Sequence, residues 1–419
     1  MLQYDLVVVG GGPAGLAAAI EANKNGMKRI IVIERERELG GILQQCIHSG
    51  FGLHIFQKEL TGPEYASRFI DQLQALEIEY KLNTMVVDIL PDKSLHVVNS
   101  QDGFLIIQAK AIILAMGCRE RTREAISIPG RRPAGIFTAG TAQRYINIQG
   151  YMPGEKVVIV GSGDIGLIMA RRMMLEGAEV LAVVEIMPFP GGTNRNIVQC
   201  LDDFHIPLLL QHMVTDILGK ARVEGVVVAQ VDEDRKPIPG TERIYSCDTL
   251  LLSVGLIPEN ELSGKAGIVL DRITRGPVVN EAMETSVEGI FACGNAVHVH
   301  DLVDFATEEG RRAGRNAAKY VNGELKRGAN SIKIEPGWGI QYIVPHIMEL
   351  GNAATLFLRV DNIYHDVNLV VKYDGEILKS LKKEYMAPGN MEQLVLDGDD
   401  LKEKKPSVLT VEVEKRNAK

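Results

Sequence analysis

The most constraining feature of this sequence is a glycine-rich motif that occurs twice at a fixed separation. The first copy, Gly10–Gly15, reads GGGPAG; it follows the apolar run Asp5–Val9 and precedes a helix-compatible segment. The second copy, Gly161–Gly166, reads GSGDIG and lies 151 residues later (161 − 10). Each copy is followed by a second apolar strand pattern that ends in an acid, Glu34 or Glu185. This order of strand, G-x-G-x-x-G, helix, strand and acid is typical of dinucleotide-binding βαβ units, so the sequence predicts two of them.

The motif positions have separate physical roles. The first glycine permits a tight turn, the second lets the backbone approach a pyrophosphate at the helix N-terminus, and the third lets the helix pack on the strand. The ligands predicted for the first dinucleotide are Gly10, Gly12, Pro13, Ala14, Gly15, Glu34, Arg35 and Gly41, and those for the second are Gly161, Gly163, Asp164, Ile165, Gly166 and Glu185. Because the carboxylate of Glu185 would repel a 2′-phosphate, NAD(H) is favoured over NADP(H) at the second site.

Composition limits the class of protein. Hydrophobic residues make up 46% and charged residues 24% of the 419-residue chain, as in ordinary soluble globular proteins. A net charge of −8, without a block of lysine or arginine, argues against nucleic acid as a partner. The first strand begins almost at once and no apolar run approaches about 20 residues, so we expect neither a signal sequence nor a transmembrane segment. Five scattered cysteines indicate a reducing compartment, and we expect a cytoplasmic protein.

The segment after the double glycine Gly40–Gly41 carries a resemblance to a known superfamily. It is similar to the pyridine-nucleotide–disulfide oxidoreductases, whose disulfide-reducing members have a cysteine pair here. The corresponding positions fall near Leu43 and His48, so the pair is missing and disulfide reduction by the lipoamide-dehydrogenase route is excluded. The resemblance implies that the first dinucleotide is FAD and that Cys46 and His48 lie near the flavin. Both are candidate catalytic residues; the alternatives are a neutral histidine bonded to backbone and a buried, inert thiol.

Three further elements extend the resemblance. Ala111–Gly117 is similar to the strand that touches FAD, which implies contacts from Ala115 and Gly117. Thr285–Asn295 resembles the second FAD motif with asparagine in place of aspartate, which implies contacts from Gly294 and Asn295. Leu250–Pro258 resembles the closing strand of the nicotinamide domain, with Gly255 as a cofactor contact. A helix predicted over about Asp304–Val321 would direct its N-terminus at the flavin.

The predicted fold class is α/β, with two Rossmann-like FAD/NAD(P)-binding domains and a small C-terminal all-β domain. The FAD domain is discontinuous, over residues 1–120 and 276–328; the NAD(H) domain spans 150–275 and the β domain 335–419. The strands predicted in the last domain are Thr355–Val360, Val367–Tyr373, Ile377–Glu384, Gln393–Leu396 and Ser407–Glu414.

Two histidines, His298 and His300, follow the second FAD motif. An H-x-H pair can bind metal, but no third ligand is evident nearby in the sequence, so no metal site is predicted. We expect instead that one of them faces the flavin or a partner subunit, which makes both candidate catalytic residues.

The favoured function is an FAD-dependent oxidoreductase that exchanges a hydride with NAD(H). Arg119–Arg121 and Gly135–Tyr145 resemble α-type subunits of dye-linked amine and opine dehydrogenases, sarcosine oxidase and hydrogen cyanide synthase. The whole pattern, with His298–Asp301 and the β tail, most resembles the subunit encoded beside FAD-dependent glycerol-3-phosphate dehydrogenase-like proteins. That resemblance implies a partner dehydrogenase subunit, together with a small iron–sulfur or cysteine-rich subunit. The alternatives are a standalone NADH oxidase or acceptor reductase, a noncatalytic FAD-binding scaffold, and a second site that is vestigial or holds another adenine nucleotide.

Overall fold

The computed structural model describes residues 2–325, 331–401 and 408–416. The chain divides into two compact units, one formed by Met1–Cys118 with Pro258–Lys419 and the other by Arg119–Ile257. The first dinucleotide-binding region is therefore discontinuous, as the sequence predicts. The compact second unit starts and ends earlier in the chain than the predicted nicotinamide domain of 150–275. Residues 258–275 belong to the first unit, where the side-chain amide of Asn260 donates to the carbonyl of Ala296 at 2.8 Å.

The N-terminal part of the first unit is built around a mostly parallel sheet. Its elements are β1 (Leu2–Val9), α1 (Pro13–Lys24), β2 (Ile30–Ile33), β3 (Ser49–Phe51), β4 (Leu60–Thr61), α2 (Gly62–Ala75), β5 (Glu79–Lys81), β6 (Met85–Ile89), β7 (Ser94–Asn99) and β8 (Gly103–Leu114). The strand order is β5-β2-β1-β8-β7-β6. β1 pairs in parallel with both β2 and β8, and the run Leu6–Val9 is buried because helices cover both faces of such a sheet.

The second unit contains a five-stranded parallel sheet, in the order β10-β17-β11-β12-β13, and an antiparallel sheet, in the order β14-β15-β16. The elements from the crossing into this unit to the crossing back are β9 (Cys118–Glu120), β10 (Ile136–Thr138), α3 (Ala139–Arg144), β11 (Lys156–Val160), α4 (Asp164–Leu175), β12 (Glu179–Glu185), α5 (Asn194–Cys200), β13 (Leu208–Leu210), β14 (His212–Leu218), β15 (Gly225–Gln230), β16 (Arg243–Tyr245), β17 (Thr249–Leu252) and β18 (Leu256–Pro258). The predicted closing strand Leu250–Pro258 is thus two strands, interrupted at residues 253–255, where Gly255 has a positive φ of +99°.

After the return to the first unit come α6 (Glu261–Lys265), β19 (Ile290–Ala292) and α7 (Val303–Val321). β19 pairs in parallel with β8 and completes the sheet. α7 packs closely on α1 because Gly310 and Gly314 face it: a Cβ added at either position would lie 2.2 Å and 2.1 Å from the carbonyl oxygens of Ala14 and Ala18. No helix in the described part of the chain has the length and apolar character needed to cross a bilayer.

The C-terminal part of the first unit has its own hydrophobic core. Its strands are β20 (Ser331–Pro336), β21 (Ile340–Val344), β22 (Ile347–Glu349), β23 (Ala354–Val360), β24 (Tyr364–Tyr373), β25 (Glu376–Met386), β26 (Glu392–Leu396) and β27 (Val408–Lys415). They form two sheets, β22-β20-β27-β24-β25 and β21-β23-β26, and residues 331–401 and 408–416 contain no α-helix. The predicted small β domain is confirmed, although its first three strands were not predicted. Ser407, the predicted start of the last strand, lies outside the described residues.

Candidate functional site

The first glycine turn connects β1 to α1. Gly10 has a φ of +105°, and a Cβ added there would lie 2.4 Å from the carbonyl oxygen of Ala115. A Cβ on Gly15 would lie 2.0 Å from the carbonyl oxygen of Gly10. Side chains are therefore excluded at both positions. At Gly12, by contrast, an added Cβ would meet no atom within 4 Å, so this face of the turn is open to a ligand.

The helix that starts at this turn is free to bind an anion. α1 begins after Gly12 with Pro13, no side chain caps its N-terminus, and its first turn contains no acid. The neighbouring helix α2 is different, because the side chains of Thr61 and Glu64 form a capping box at its start. The first backbone N–H groups of α1 are thus not bonded to a capping side chain, and their binding of a pyrophosphate stays a prediction.

The predicted ribose ligand Glu34 lies beside the turn and is 6% exposed. Its Oε2 accepts the backbone N–H of Gly11 at 2.7 Å, and its Oε1 accepts that of Glu36 at 2.8 Å. Because a carboxylate has about four acceptor positions, two remain for ribose hydroxyls. Arg35, predicted with it, is exposed.

Other predicted residues of the first site surround the same turn. The N–H of Gly40 donates to the carbonyl of Gly11 at 2.8 Å, and a Cβ on Gly41 would lie 3.1 Å from Cα of Gly12. Gly294 has a φ of +67°, and its added Cβ would lie 2.7 Å from Cβ of Ala14. The turn, the double glycine and the second motif are therefore brought together. Gly117, with a φ of +73°, has open space at its Cβ position.

The second glycine turn connects β11 to α4 and has similar constraints. An added Cβ at Gly161 would lie 2.1 Å from the carbonyl oxygen of Ser253, and one at Gly166 would lie 2.7 Å from that of Gly161. An added Cβ at Gly163 would have its nearest neighbours at 3.8 Å and 4.0 Å, both in Ser253. No side chain caps α4, which starts at Asp164 and continues through Ile165.

Two carboxylates accept hydrogen bonds from the segments around the second turn. Oε2 of Glu185 accepts the backbone N–H and the hydroxyl of Ser162, at 2.9 Å and 2.6 Å, and its Oε1 accepts the N–H of Met187 at 2.9 Å. Oδ1 of Asp164 accepts the N–H of Thr193 at 2.8 Å and the amide of Asn196 at 2.7 Å. The predicted ligands of the second dinucleotide thus lie together in the second unit.

The structure gives Cys46 an inert environment. Its thiol lies 3.3 Å from the carbonyl oxygen of Ile42, and burial raises the pKa of the thiol to about 12. The thiolate, which is the reactive form, is therefore scarce at neutral pH, and this favours the alternative of an inert thiol. His48 lies just before β3, half-buried, with its ring 5.1 Å from that of Phe51. Its catalytic role stays a prediction.

His298 and His300 meet a residue that sequence reasoning missed, Glu309 on α7. Nε2 of His298 lies 2.7 Å from Oε1 of Glu309, and Nε2 of His300 lies 3.3 Å from the same oxygen. Oε2 of Glu309 accepts the N–H of Gly294 at 2.9 Å. The signal in the sequence is weak, because Glu309 shares the buried stripe of this helix with a second acid, Asp304.

Burial controls the protonation of this cluster. Burial and the nearby His300 lower the pKa of His298 to about 4. Burial alone would raise the pKa of Glu309, but the two histidines oppose it and hold the pKa well below its usual range. Near neutral pH, His298 is therefore neutral and Glu309 is ionised.

The C-terminal β domain covers the histidines. Phe357 and Tyr342 place their rings 5.8 Å and 5.9 Å from that of His298. Arg359 of this domain forms an ion pair with Asp301, which lies in the same loop as the two histidines. Because both imidazole side chains are 1% exposed within this chain, the expectation that one of them faces a partner subunit is wrong.

Comparisons with known proteins agree with this geometry. A family model described as pyridine nucleotide-disulphide oxidoreductase matches residues 4–310. An opine oxidase subunit of Agrobacterium tumefaciens (strain Ach5) is 24% identical over 344 residues, which cover 77% of this chain and 66% of that protein. NADH oxidase of Methanocaldococcus jannaschii is 26% identical over 343 residues, which cover 74% of this chain and 69% of that protein. The chain thus spans just under two thirds of the opine oxidase protein.

A solved structure shares the fold. The crystal structure of T. acidophilum thioredoxin reductase has a TM-score of 0.62 and 25% sequence identity, and the match covers 77% of this chain and 99% of that one. The predicted α/β fold with two Rossmann-like sheets is confirmed.

Proposed function

The chain belongs to the pyridine nucleotide-disulphide oxidoreductase family, whose members bind FAD and NAD(P)H, and on this basis we propose that it transfers a hydride between NAD(H) and FAD. The observation that carries the proposal is the presence of two intact glycine turns, each at an uncapped helix N-terminus and each beside a buried glutamate. One nucleotide alone would require only one such turn.

The residues of the first unit would hold FAD. Gly12 and the start of α1 receive the pyrophosphate, and the free acceptor positions of Glu34 receive ribose hydroxyls. Asn295 would contact the ribityl chain, and its Oδ1 already accepts the N–H of His300 at 3.0 Å. The bound flavin supplies the redox chemistry, and the protein supplies position and electrostatics.

The residues of the second unit would hold NAD(H). Gly163 and the start of α4 receive the pyrophosphate in the same way. The carboxylate of Glu185, which is 8% exposed, would disfavour the 2′-phosphate of NADP(H). We therefore propose NAD(H) as the nicotinamide cofactor.

The reduced flavin would need an electron acceptor other than a disulfide of this chain. All five cysteines are free thiols, and the positions of the family's disulfide hold other residues. We propose that the acceptor or donor is the flavin of a partner dehydrogenase subunit, of the glycerol-3-phosphate dehydrogenase-like kind, reached through a small iron–sulfur or cysteine-rich subunit. Support comes from the similarity to the opine oxidase subunit, whose name identifies it as part of a larger enzyme.

A second candidate is a standalone NADH oxidase. The similarity to the NADH oxidase of Methanocaldococcus jannaschii favours it. The two candidates differ in oxygen use: an oxidase consumes oxygen during NADH turnover, whereas a subunit of a dehydrogenase holds reduced flavin until its partner is added.

The test is an anaerobic titration of the purified flavoprotein, first with NADPH and then with NADH, followed by absorbance in the flavin band. We expect NADH to bleach the flavin and NADPH to have little effect. Readmission of air then distinguishes an oxidase, which reoxidises rapidly, from a subunit that waits for a partner. Protein that stays yellow with both reductants would contradict hydride transfer and favour a scaffold that binds FAD for structure.

A further inference from the structure

The cluster of His298, His300 and Glu309 is not needed for either glycine turn. Its potential ligand atoms all lie within 4.8 Å of one another. The three side chains are 1%, 1% and 0% exposed. Ionisable groups buried this deeply require compensating partners, so the contacts of each atom decide what else the cluster holds.

The proton on His300 is located by its neighbour Asn295. The backbone N–H of His300 donates to the side chain of Asn295 at 3.0 Å, which identifies the accepting atom as the amide oxygen. Nδ1 of His300 lies 3.2 Å from that same oxygen. Because this oxygen only accepts, Nδ1 carries the proton. Nε2 is thus the ring nitrogen of His300 that is directed at Glu309.

This nitrogen faces a carboxylate. Nε2 of His300 lies 3.3 Å from Oε1 of Glu309, yet it has no hydrogen-bond partner. Nε2 of His298 approaches the same carboxylate oxygen at 2.7 Å. A cation shared by the three side chains would compensate the buried polar atom and the buried carboxylate together.

We propose that His298, His300 and Glu309 bind a divalent transition-metal ion, with Zn²⁺ as the representative ion, through Nε2, Nε2 and Oε1. Two imidazoles and one carboxylate form a known ligand set for such ions. Ligand atoms of a tetrahedral site with bonds of about 2.0 Å lie about 3.3 Å apart. Nε2 of His300 already meets this separation from Oε1, Nε2 of His298 is about 0.6 Å closer to Oε1 than that (3.3 − 2.7), and all three ligand atoms lie within 4.8 Å of one another.

The surroundings of His300 support the same assignment. A ligating imidazole usually donates its other ring N–H to an oxygen, which fixes its orientation. Nδ1 of His300 and the amide oxygen of Asn295 have this relationship. Beyond the cluster, the rings of Phe357 and Tyr342 exclude water.

A metal ion here would stabilise the second FAD motif. The carboxylate of Glu309 would hold the ion with Oε1 while Oε2 accepts the N–H of Gly294 at 2.9 Å. The ion would thus connect the loop after β19, helix α7 and the Gly294–Asn295 turn. It would act as a positioning element, because none of its ligands needs to touch the nicotinamide.

The experiment uses the full-length flavoprotein, stripped with a chelator and titrated with zinc chloride by calorimetry, with metal content measured by plasma mass spectrometry. We expect about one zinc ion per chain and a rise in the melting temperature on zinc addition. His298→Ala and Glu309→Gln should each weaken zinc binding by at least about tenfold. His365→Ala, which changes an exposed histidine on β24, is the matched control and should bind as the wild type does.

Two results would overturn the proposal. One is wild-type protein that takes up no zinc and shows no change in melting temperature. The other is zinc binding that is unchanged in both His298→Ala and Glu309→Gln, which would locate the ion elsewhere. If Glu309→Gln does not fold, His300→Gln replaces it, since it keeps the side-chain volume and leaves the bond to Gly294 intact. Cobalt(II) bound in place of zinc gives a paramagnetic resonance spectrum, which provides a readout independent of NADH oxidation.

Discussion

The two glycine turns of this chain are copies of one motif, and the differences between them are informative. In both, the first glycine has a positive φ, of +105° at Gly10 and +92° at Gly161. In both, a glutamate at the end of the second strand accepts the N–H of the residue between the first two glycines. The shared contacts are those that shape the turn, so a dinucleotide-binding backbone is specified twice.

The residue that follows the second glycine of the motif differs between the two copies. The first turn has Pro13 there and the second has Asp164, 151 residues later (164 − 13). Asp164 fastens the segment around Thr193 and Asn196 to the start of α4. Pro13 has no hydrogen-bonding side chain, and the corresponding segment of the first unit starts a 3₁₀ helix at Gly41. In the second turn a side chain, Asp164, thus bonds the following segment to the start of the helix, and in the first turn Pro13 does not.

The largest effect is expected when the same substitution is made separately in each of the two glycine turns. Gly12 and Gly163 both have a negative φ, −76° and −65°, so valine is sterically allowed at either. Its side chain would occupy the space proposed for a pyrophosphate. We expect Gly12→Val to lower FAD content at least about tenfold, or ~1.4 kcal/mol of binding free energy. Gly163→Val should keep the flavin and lose its reduction by NADH.

The measurements are flavin absorbance per chain and the anaerobic rate of bleaching, with circular dichroism to check folding. Each variant serves as the control for the other. If both variants lose flavin, or if neither does, the assignment of FAD to the first turn and NAD(H) to the second is wrong.

The next prediction concerns the two glutamates. Glu185→Gln keeps the side-chain size and removes the charge that opposes a 2′-phosphate. We expect the ratio of kcat/KM for NADPH over NADH to rise by about tenfold, since hydrogen bonds to charged groups contribute about 1.5–3 kcal/mol. Glu34→Gln is the matched change in the first unit and should leave this ratio unaltered while it weakens FAD retention. Steady-state kinetics with both reductants test this; an unchanged ratio in Glu185→Gln would remove Glu185 from cofactor selection.

Removal of the hydrogen bonds of Asp164 is expected to have a smaller effect, on stability. Asp164→Ala removes the acceptor of the N–H of Thr193 and of the amide of Asn196. We expect the free energy of unfolding to fall by about 1–2 kcal/mol, as for the loss of partly buried hydrogen bonds to a carboxylate. Hydrogen exchange should increase in residues 191–196 and stay constant in the double glycine of the first unit. Exchange that increases equally in both segments would mean that Asp164 has no local role.

The glycine turns could be predicted from sequence because their contacts are local and repeat at one spacing. The cluster of His298, His300 and Glu309 could not, because the approach of Glu309 depends on how α7 rotates against a loop that precedes it. Strand limits failed where local signals conflicted. β8 begins at Gly103 and continues through the exposed Lys110, before the predicted start at Ala111, and the positive φ of Gly255 breaks a mostly apolar run. Tertiary pairing overrode propensity in the first case, and backbone conformation did so in the second.

The smallest effect is expected at Cys46, the one cysteine in the segment that implied a flavin contact. Because burial raises the pKa of its thiol to about 12, the thiolate forms only at strongly alkaline pH and is lost as pH falls below that value. Cys46→Ser should therefore change the rate of flavin bleaching by NADH by less than about twofold across pH 7 to 9. Peptide mapping after iodoacetamide treatment should find Cys46 unmodified in the folded protein and modified after denaturation. Rapid alkylation of Cys46 in the folded protein, together with slower flavin bleaching in Cys46→Ser, would contradict this prediction. It would show that Cys46 is a reactive thiol and that this reactivity belongs to the first unit alone.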